Sequence, residues 1–210
     1  MISAPTILAS SFAWGRAASP RPEPSRGTRI FFRLGFAVVP ERLFDIKFQC
    51  YSYILNTVLR QETIYDFHTH TCLSDGDLSP VEMIRRAYDK GYRAVALTDH
   101  VGLGSLERLV RETVEDCRIA RKHWDIMAIP GVELTHLPAL AIADAAKRAK
   151  ELGAWIVIVH GETIVEPVEK GTNLPAVNSP HVDILAHPGL ISVDEAQFAA
   201  ANGVFIEVSA

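Results

Sequence analysis

Two histidines one residue apart, followed by an aspartate, occur in the stretch DFHTHTCLSDG, which runs from Asp66 to Gly76. Side chains alternate between the two faces of a strand, so Asp66, His68 and His70 project to the same side of an extended segment. His68 and His70 could therefore bind one metal ion through their imidazoles, a common class of metal ligand. Asp75 lies beyond them in a loop, where an ordinary turn is the alternative interpretation.

Other candidate ligands each end a short apolar run. They are His100 after RAVALTD, Glu133 at the end of DIMAIPGVE, His160 at the end of AWIVIVH and His187 after VDILA. A single histidine at a strand end is more often a hydrogen-bonded core or loop residue than a ligand. However, five imidazoles and two or more carboxylates at corresponding strand ends would be costly to bury without a partner. The pattern as a whole therefore predicts a metal site.

Three histidines do not end strands and are interpreted as surface or loop residues: His123, His136 and His181. His136 follows Glu133 by three residues and could still reach the same site.

Short apolar runs alternate with amphipathic segments from Ile64 onward. The runs contain Val, Ile, Leu and Ala without polar alternation, which is typical of strands covered on both faces and hence of a mostly parallel sheet. A regular alternation of strands and helices leads to an open doubly wound sheet or to a barrel. Because parallel strands end at the same rim, convergence of the polar residues on one mouth is the simplest interpretation.

The segments between the runs show helical start signals and helical periodicity. The sequence SPVE at 79–82 predicts a capping box with proline at the first helical position, and SVDE at 192–195 predicts another capping box. A glycine marks the expected end of each helix, at Gly91 and Gly203. Residues 105–122 and 139–152 place apolar side chains at three- and four-residue steps, which predicts one buried stripe on each helix.

Composition divides the chain near residue 62. Residues 1–29 are rich in Ser, Pro and Arg and contain one acid, Glu23, a composition shared by transit peptides, disordered tails and wrongly assigned start sites. Residues 30–61 are apolar enough to dock on the main body as a strand or helix. We therefore predict an N-terminal extension over residues 1–61, disordered or loosely docked, and one domain over 62–210.

Composition also restricts partners and compartment. The net charge of -4 and the lack of a Lys/Arg-rich run make nucleic acid an unlikely bulk partner. Three widely spaced cysteines without a C-x-x-C motif fit a reducing cytoplasm better than a disulfide framework. Because charged residues interrupt every long apolar run, we predict no membrane helix. A cytoplasmic protein is expected, with a homo-oligomer left open.

The motifs HTHTCLSDG, LTDH, PGVEL, IVHGE and ILAHPG, in that order, resemble those of the polymerase and histidinol phosphatase family, the PHP domains. The resemblance covers residues 64–210, and several ordered motifs are more specific than any one of them. It implies an α/β fold, a distorted seven-stranded (β/α) TIM-like barrel. It also implies up to three metal ions at the C-terminal rim, and hydrolysis of phosphate esters.

By motif, the resemblance implies ligands for three ions. One site takes His68 and His70, a second takes Glu133 as a bridging carboxylate with His160 and His187, and a third takes Asp75 and His100. Among these, Glu133, His70 and Asp75 are the predicted catalytic residues. Mixed imidazole and carboxylate ligands suit two or three ions of Zn, Mn or Fe better than Ca or an all-oxygen Mg site.

This sequence departs from the family at its C-terminal end. The pattern includes a further strand ending in Asp-x-His, which would complete the first and third sites, whereas the sequence ends at Ala210 after GVFIEVS. Six strands can be counted where the barrel has seven, so we expect a PHP domain truncated before its last strand. In this expectation only the site of Glu133, His160 and His187 has all its protein ligands. The open edge would be covered by a partner chain or by residues 30–61.

The function implied by the resemblance is metal-dependent hydrolysis of a small phosphate monoester, as in histidinol phosphatases, by metal-activated water. This chemistry needs no serine or cysteine nucleophile, so Cys72 and Ser74 are interpreted as structural. One alternative is a truncated, catalytically impaired PHP-like module with a structural or metal-binding role. Another is a phosphoesterase for nucleotides or nucleic-acid 3′ ends, which the acidic balance disfavours.

Overall fold

The computed structural model describes residues 64–208, and the extension predicted over residues 1–61 lies outside the described residues. The strands are β1 (Ile64–Asp66), β2 (Tyr92–Leu97), β3 (His100–Val101), β4 (Met127–Leu134), β5 (Ile156–His160), β6 (Ile184–Ala186) and β7 (Phe205–Glu207). The helices are α1 (Pro80–Asp89), α2 (Leu106–His123), α3 (Ile142–Leu152), α4 (Asn173–Asn178) and α5 (Val193–Asn202), with a 3-10 turn at Ala139–Ala141. Within this range no helix combines the length and apolarity needed to cross a bilayer.

All strand pairs in the sheet are parallel, as the apolar runs predict. The order is β1-β2-β4-β5-β6-β7, and β3 pairs with β4 beyond the end of β2. β2 and β3 therefore share one position, interrupted at Thr98 and Asp99. The seven strands of residues 64–208 thus fill the six positions counted from the sequence. An α/β fold with a curled parallel sheet is confirmed, and closure into a seven-stranded barrel stays a prediction.

The sheet curls so that its two ends approach each other at the carboxyl rim. β1 and β7 are the first and last strands of the order, yet His68, just after β1, lies 2.6 Å from Glu207 of β7. Inside the curl, Phe67 packs against one cluster that contains Ile129 and another that contains Ile184. Because Phe67 contacts both halves of the sheet, side chains fill its concave face. The curled sheet is therefore a filled half-barrel.

The helices cover the convex face of the sheet. Helix α2 buries the predicted stripe, of which the fully covered members are Leu106, Leu109, Val110, Thr113 and Cys117. Each fully buried Leu or Val side chain contributes about 1.5–3 kcal/mol relative to exposure, so this stripe is a main source of stability. Helix α3 ends at Gly153, whose φ of 112° places it in the left-handed region that favours glycine.

The two predicted capping boxes have different outcomes. The Ser192 side chain accepts a hydrogen bond from the backbone N–H of Glu195, and the Glu195 carboxylate accepts from the Ser192 backbone N–H at 2.8 Å, so this box is confirmed. The box predicted at 79–82 is wrong, because Ser79 makes no side-chain capping bond. Glu82 instead accepts from Arg86, one turn along the helix, at 2.8 Å. Proline at the first helical position supplies the backbone constraint at this end.

Candidate metal centre

The carboxyl rim of the sheet brings together side chains from six separate segments. The turn after β1 provides His68 and His70, the loop before α1 Asp75, β3 His100, β4 Glu133, the end of β5 His160, and the residue after β6 His187. The parallel register pairs His100 directly with Glu133 across β3 and β4. Residues far apart in sequence therefore meet because neighbouring strands end at one rim.

Glu133 lies at the middle of this cluster with its side chain fully buried. Its Oε2 is 2.8 Å from His100 Nδ1, 3.2 Å from His68 Nε2 and 3.4 Å from His70 Nε2, and its Oε1 is 3.3 Å from His187 Nε2. Burial alone would raise the pKa of Glu133, but the surrounding imidazoles hold it well below the usual range. Glu133 is therefore an anion whose carboxylate faces nitrogens of four imidazoles.

His68 lies between two buried carboxylates. Its Nδ1 is 2.6 Å from Glu207 Oε2 and its Nε2 is 3.2 Å from Glu133 Oε2. Burial lowers the pKa of His68, but the two carboxylates more than reverse this and raise it to about 10. The imidazolium thus balances the buried negative charge when no other cation does so.

Sequence reasoning missed Glu207. Its side chain is buried, and it is the acid on β7, two residues before the end of the apolar run GVFIEVS. Glu133 ends the comparable run DIMAIPGVE. A carboxylate inside an apolar strand run was therefore the available signal.

Two sets of side chains are compact enough for each to hold one ion. One set is His68, Glu133 and His187, and the other is His70, Asp75 and His100; within each set the ligand atoms lie within 4.8 Å of one another. This grouping differs from the one implied by family motifs, since it separates His68 from His70. It also leaves His160 outside both sets. The assignment of the individual residues as metal ligands stays a prediction.

The donor atoms of these sets fit divalent transition metals. Several are buried and form no hydrogen bond of regular geometry with any residue of 64–208, although most of them lie 2.8–3.3 Å from another member of the cluster: His68 Nε2, His70 Nδ1, His187 Nδ1 and both carboxylate oxygens of Glu133. A buried polar atom without a partner costs about 1–3 kcal/mol, so a cluster of them calls for an additional partner. Imidazole with carboxylate is a donor set suited to Zn, Mn or Fe.

Asp99 holds the loop that follows His70. Its fully buried carboxylate accepts from the Thr71 backbone N–H at 2.6 Å, the Thr71 hydroxyl at 2.9 Å and the Ser74 hydroxyl at 2.7 Å. A Cβ on Gly76 would lie 2.3 Å from the His70 carbonyl oxygen, so this position requires glycine. The sequence places Asp99 in the LTDH motif without revealing its partners, because its role depends on a loop 25 residues earlier.

His160 is oriented toward a different group of residues. Its Nδ1 lies 3.2 Å from the carbonyl oxygen of Gly161, and its Nε2 lies 3.4 Å from Glu166 Oε2. His136, interpreted above as a surface or loop residue, is also 3.4 Å from that oxygen. The rings of His160 and His187 have centroids 4.2 Å apart. Burial lowers the pKa of His160, which favours the neutral imidazole that metals bind.

Known proteins resemble this chain over the same segment. A model of the PHP domain matches residues 66–164. An uncharacterized protein of Methanocaldococcus jannaschii is 49% identical over 146 residues, which cover 69% of this chain and 67% of that protein. A 5′-3′ exoribonuclease of Haemophilus influenzae is 38% identical over 71 residues, 34% of this chain and 23% of that protein. A probable phosphatase of Thermoanaerobacter pseudethanolicus is 29% identical over 168 residues, 70% of this chain and 64% of that protein.

The fraction of each relative's length that this chain covers differs widely. This chain spans about two thirds of the archaeal protein and of the probable phosphatase, and under a quarter of the exoribonuclease. The PHP match contains six of the seven candidate ligands, since among them His187 alone lies beyond residue 164. The resemblance derived from the ordered motifs is confirmed, and the chain belongs to the PHP domain family.

Proposed function

We propose that this chain is a metal-dependent phosphoesterase that hydrolyses a small phosphate monoester with two or three divalent ions at the carboxyl rim. The observation that carries the proposal is the convergence of buried, unpartnered imidazole nitrogens and carboxylate oxygens around Glu133. Membership of the PHP family and a relative named a probable phosphatase support phosphate ester chemistry. Histidinol phosphate is our first candidate substrate within this class.

In the proposed reaction the protein contributes a fixed set of imidazole and carboxylate groups arranged around the Glu133 anion. Divalent ions bound here would neutralise phosphoryl oxygens and activate a water molecule for attack on phosphorus. Glu133 presents Oε1 to His187 and Oε2 to His100, so one carboxylate faces both candidate sets. Burial lowers the pKa of His70, which keeps its imidazole neutral and able to donate a lone pair.

The set formed by His70, Asp75 and His100 marks the side from which a substrate would enter. The Asp75 side chain is 67% exposed, whereas Glu133 is fully buried. Asp75 contacts His70 at 3.2 Å and His100 at 3.7 Å. A phosphate group arriving at this edge would meet the exposed set first, with Glu133 behind it. This arrangement, with an exposed carboxylate at the entrance and a buried one behind it, favours a terminal phosphate on a small molecule.

The test measures inorganic phosphate released by the full chain from a panel of small phosphomonoesters, including histidinol phosphate, with and without added Mn²⁺ or Zn²⁺. We expect metal-dependent release that Glu133→Gln lowers by at least about a hundredfold, since it removes the central charge without changing shape. Glu151→Gln is the matched control, because Glu151 is half-exposed on α3 and pairs only weakly, at 3.8 Å, with Arg148.

Two outcomes would contradict the proposal. One is a metal-replete, folded protein that releases no phosphate from any monoester of the panel. The other is faster cleavage of a single-stranded oligonucleotide than of any small monoester, which would move the substrate class to nucleic acid.

A further inference from the structure

Thr135 is a residue of the rim that neither the apolar runs nor the family motifs single out. It directly follows β4, its side chain is partly buried, and the motif PGVEL ends one residue before it, at Leu134. Its hydroxyl oxygen lies 2.7 Å from Nδ1 of His100. That ring belongs to the exposed set, which consists of His70, Asp75 and His100. Thr135 therefore contacts a predicted ligand without being one itself.

The parallel pairing of β3 with β4 fixes Thr135 beside His100. The backbone N–H of Glu133 donates to the Asp99 carbonyl oxygen at 3.0 Å. Two residues later, the backbone N–H of Thr135 donates to the Val101 carbonyl oxygen at 3.1 Å. His100 lies between these two hydrogen bonds and pairs directly with Glu133. Side chains two residues apart on an extended segment share one side, so Glu133 and Thr135 both reach the His100 ring.

The hydrogen bonds of the Thr135 hydroxyl determine which nitrogen of His100 carries a proton. A hydroxyl has one hydrogen to donate and two lone pairs that can accept. The Thr135 hydroxyl donates to the Glu133 carbonyl oxygen at 3.0 Å, and a carbonyl oxygen can only accept. The hydroxyl must therefore accept in its 2.7 Å contact with His100, which makes Nδ1 of that ring the donor.

A second acceptor supports the same assignment. Glu133 Oε2 lies 2.8 Å from Nδ1 of His100, and an anionic carboxylate offers only lone pairs. An unprotonated Nδ1 would direct its own lone pair at this buried oxygen, which is unfavourable. The proton on Nδ1 is therefore shared between the Glu133 carboxylate and the Thr135 hydroxyl, as a three-centre hydrogen bond.

A proton on Nδ1 leaves Nε2 of His100 with the lone pair that a metal ion binds. This nitrogen lies 3.7 Å from Asp75 Oδ2. The His70 ring is also close, with its centroid 4.3 Å from that of His100. The tautomer fixed from the Thr135 side thus presents the free nitrogen to the exposed set.

We propose that Thr135 is a positioning residue of the metal centre, which holds His100 in the Nδ1–H tautomer and so presents Nε2 to an ion bound by the exposed set. The inference rests on the metal centre of the proposed function and on no step of the hydrolysis. Thr135 matters most when ions are bound, because a Glu133 oxygen that binds an ion has less electron density for the His100 proton. The Thr135 hydroxyl is then the acceptor that remains.

The test replaces Thr135 by valine and by serine in the full chain. Valine keeps the branched shape and removes the hydroxyl, whereas serine keeps the hydroxyl. Stepwise Kd values for Zn²⁺ are measured by competition with a chromophoric chelator. Thr135→Val should weaken one step about tenfold or more, and Thr135→Ser should keep every step within about threefold of the wild type.

Thr113→Val is the matched control, because it makes the same chemical change away from the rim. The Thr113 hydroxyl also donates to a backbone carbonyl oxygen at 3.0 Å, that of Leu109 within α2. This variant should keep every stepwise Kd of the wild type. Thr135→Val should likewise have no further effect in the His100→Gln background, because it acts through that ring.

Nitrogen NMR of the Zn²⁺-loaded chain, with isotope-labelled histidine, reads the tautomer directly. The His100 signals are those that His100→Gln removes, and we expect the proton on Nδ1 and the metal on Nε2.

The inference is overturned if Thr135→Val, folded by circular dichroism, keeps every stepwise Kd, or if His100 carries its proton on Nε2. It is equally overturned if Thr135→Ser or Thr113→Val weakens binding as much as Thr135→Val, because loss of the hydroxyl at this position would then not be the cause. Weaker binding by Thr135→Val in a chain that hydrolyses no monoester would refute the proposed function and leave this inference standing. An active phosphoesterase whose Kd values ignore Thr135→Val would do the reverse.

Discussion

Replacing Glu207 with glutamine tests how a buried carboxylate next to the predicted ligand His68 controls metal affinity. The carboxylate lies 2.6 Å from His68 Nδ1, while Nε2 of the same ring points at Glu133 from 3.2 Å. An Nδ1–H bonded to a carboxylate fixes the tautomer and leaves the Nε2 lone pair for the metal. Glutamine keeps the size but removes the charge, so it accepts a weaker bond and makes Nε2 less basic.

The size of the effect follows from burial. The side chains of His68 and Glu207 are 5% and 6% exposed, so water cannot replace the lost charge. A hydrogen bond to a charged group contributes about 1.5–3 kcal/mol, and loss of such outer partners typically costs about 10- to 100-fold in metal affinity. Because a factor of 100 corresponds to about 2.7 kcal/mol, the two ranges agree. We expect a loss near the upper end.

The assay is a competition titration with a chromophoric chelator, which gives the Kd of the tightest Zn²⁺ step for the wild type and for Glu207→Gln. Glu151→Gln, on the half-exposed surface of α3, should keep the wild-type Kd. A folded Glu207→Gln protein that binds Zn²⁺ within twofold of the wild type would refute the reasoning, because the buried contact would then make no contribution to the ligand.

Three further predictions concern the loop, the charge state and the helix starts. Asp99→Asn should lower the free energy of unfolding by about 1–3 kcal/mol in urea denaturation, because an amide cannot accept from all three donors of the loop; unchanged stability would contradict this. The pKa of His68 is lowered by burial but raised to about 10 by its two carboxylates, so the ring is protonated at pH 7 without metal. Metal binding at Nε2 should release about one proton, and affinity should rise with pH up to about 10; calorimetry in buffers of different ionisation enthalpy measures this, and no proton release would refute it. Ser192→Ala should cost about 1 kcal/mol of stability and Ser79→Ala under about 0.5, because the first hydroxyl forms a capping bond and the second does not; equal thermal shifts would contradict the assignment.

The local sequence pattern was sufficient to predict the strands and helices and the meeting of polar residues at the carboxyl rim. Continuous apolar runs predicted the parallel sheet, since both of its faces are covered, and the stripe on α2 matched the helical period. The convergence of polar residues at the rim could be predicted because all strands of a parallel sheet end at one carboxyl edge. His100 and Glu133 therefore had to be neighbours once both lay at the ends of adjacent strands. These inferences need only the periods of strand and helix.

Contacts that depend on curvature or on loops had no such signal. Glu207 reaches His68 because the curled sheet brings its two ends together, and sequence gives strand order without curvature. The contacts of Asp99 and Glu166 depend on loops, where no fixed period relates a residue to its partner. For the capping box predicted at Ser79, the sequence did not show that the Glu82 carboxylate would instead pair with Arg86, one turn along the helix.

Strand register, rather than residue type, decides which imidazoles share Glu133. Across β4 and β5, Glu133 pairs with Ile158, so His160 stands two residues farther along, about 6.6 Å beyond the level of Glu133. His160 in turn pairs with Ala186, which places His187 one residue higher still. His187 nevertheless reaches Glu133 at 3.3 Å, since the chain leaves the strand there with a left-handed φ of 31°. His160 remains in regular strand geometry and keeps its higher level, where its Nε2 lies 3.4 Å from Glu166 Oε2 while its ring stays beside that of His187, with centroids 4.2 Å apart.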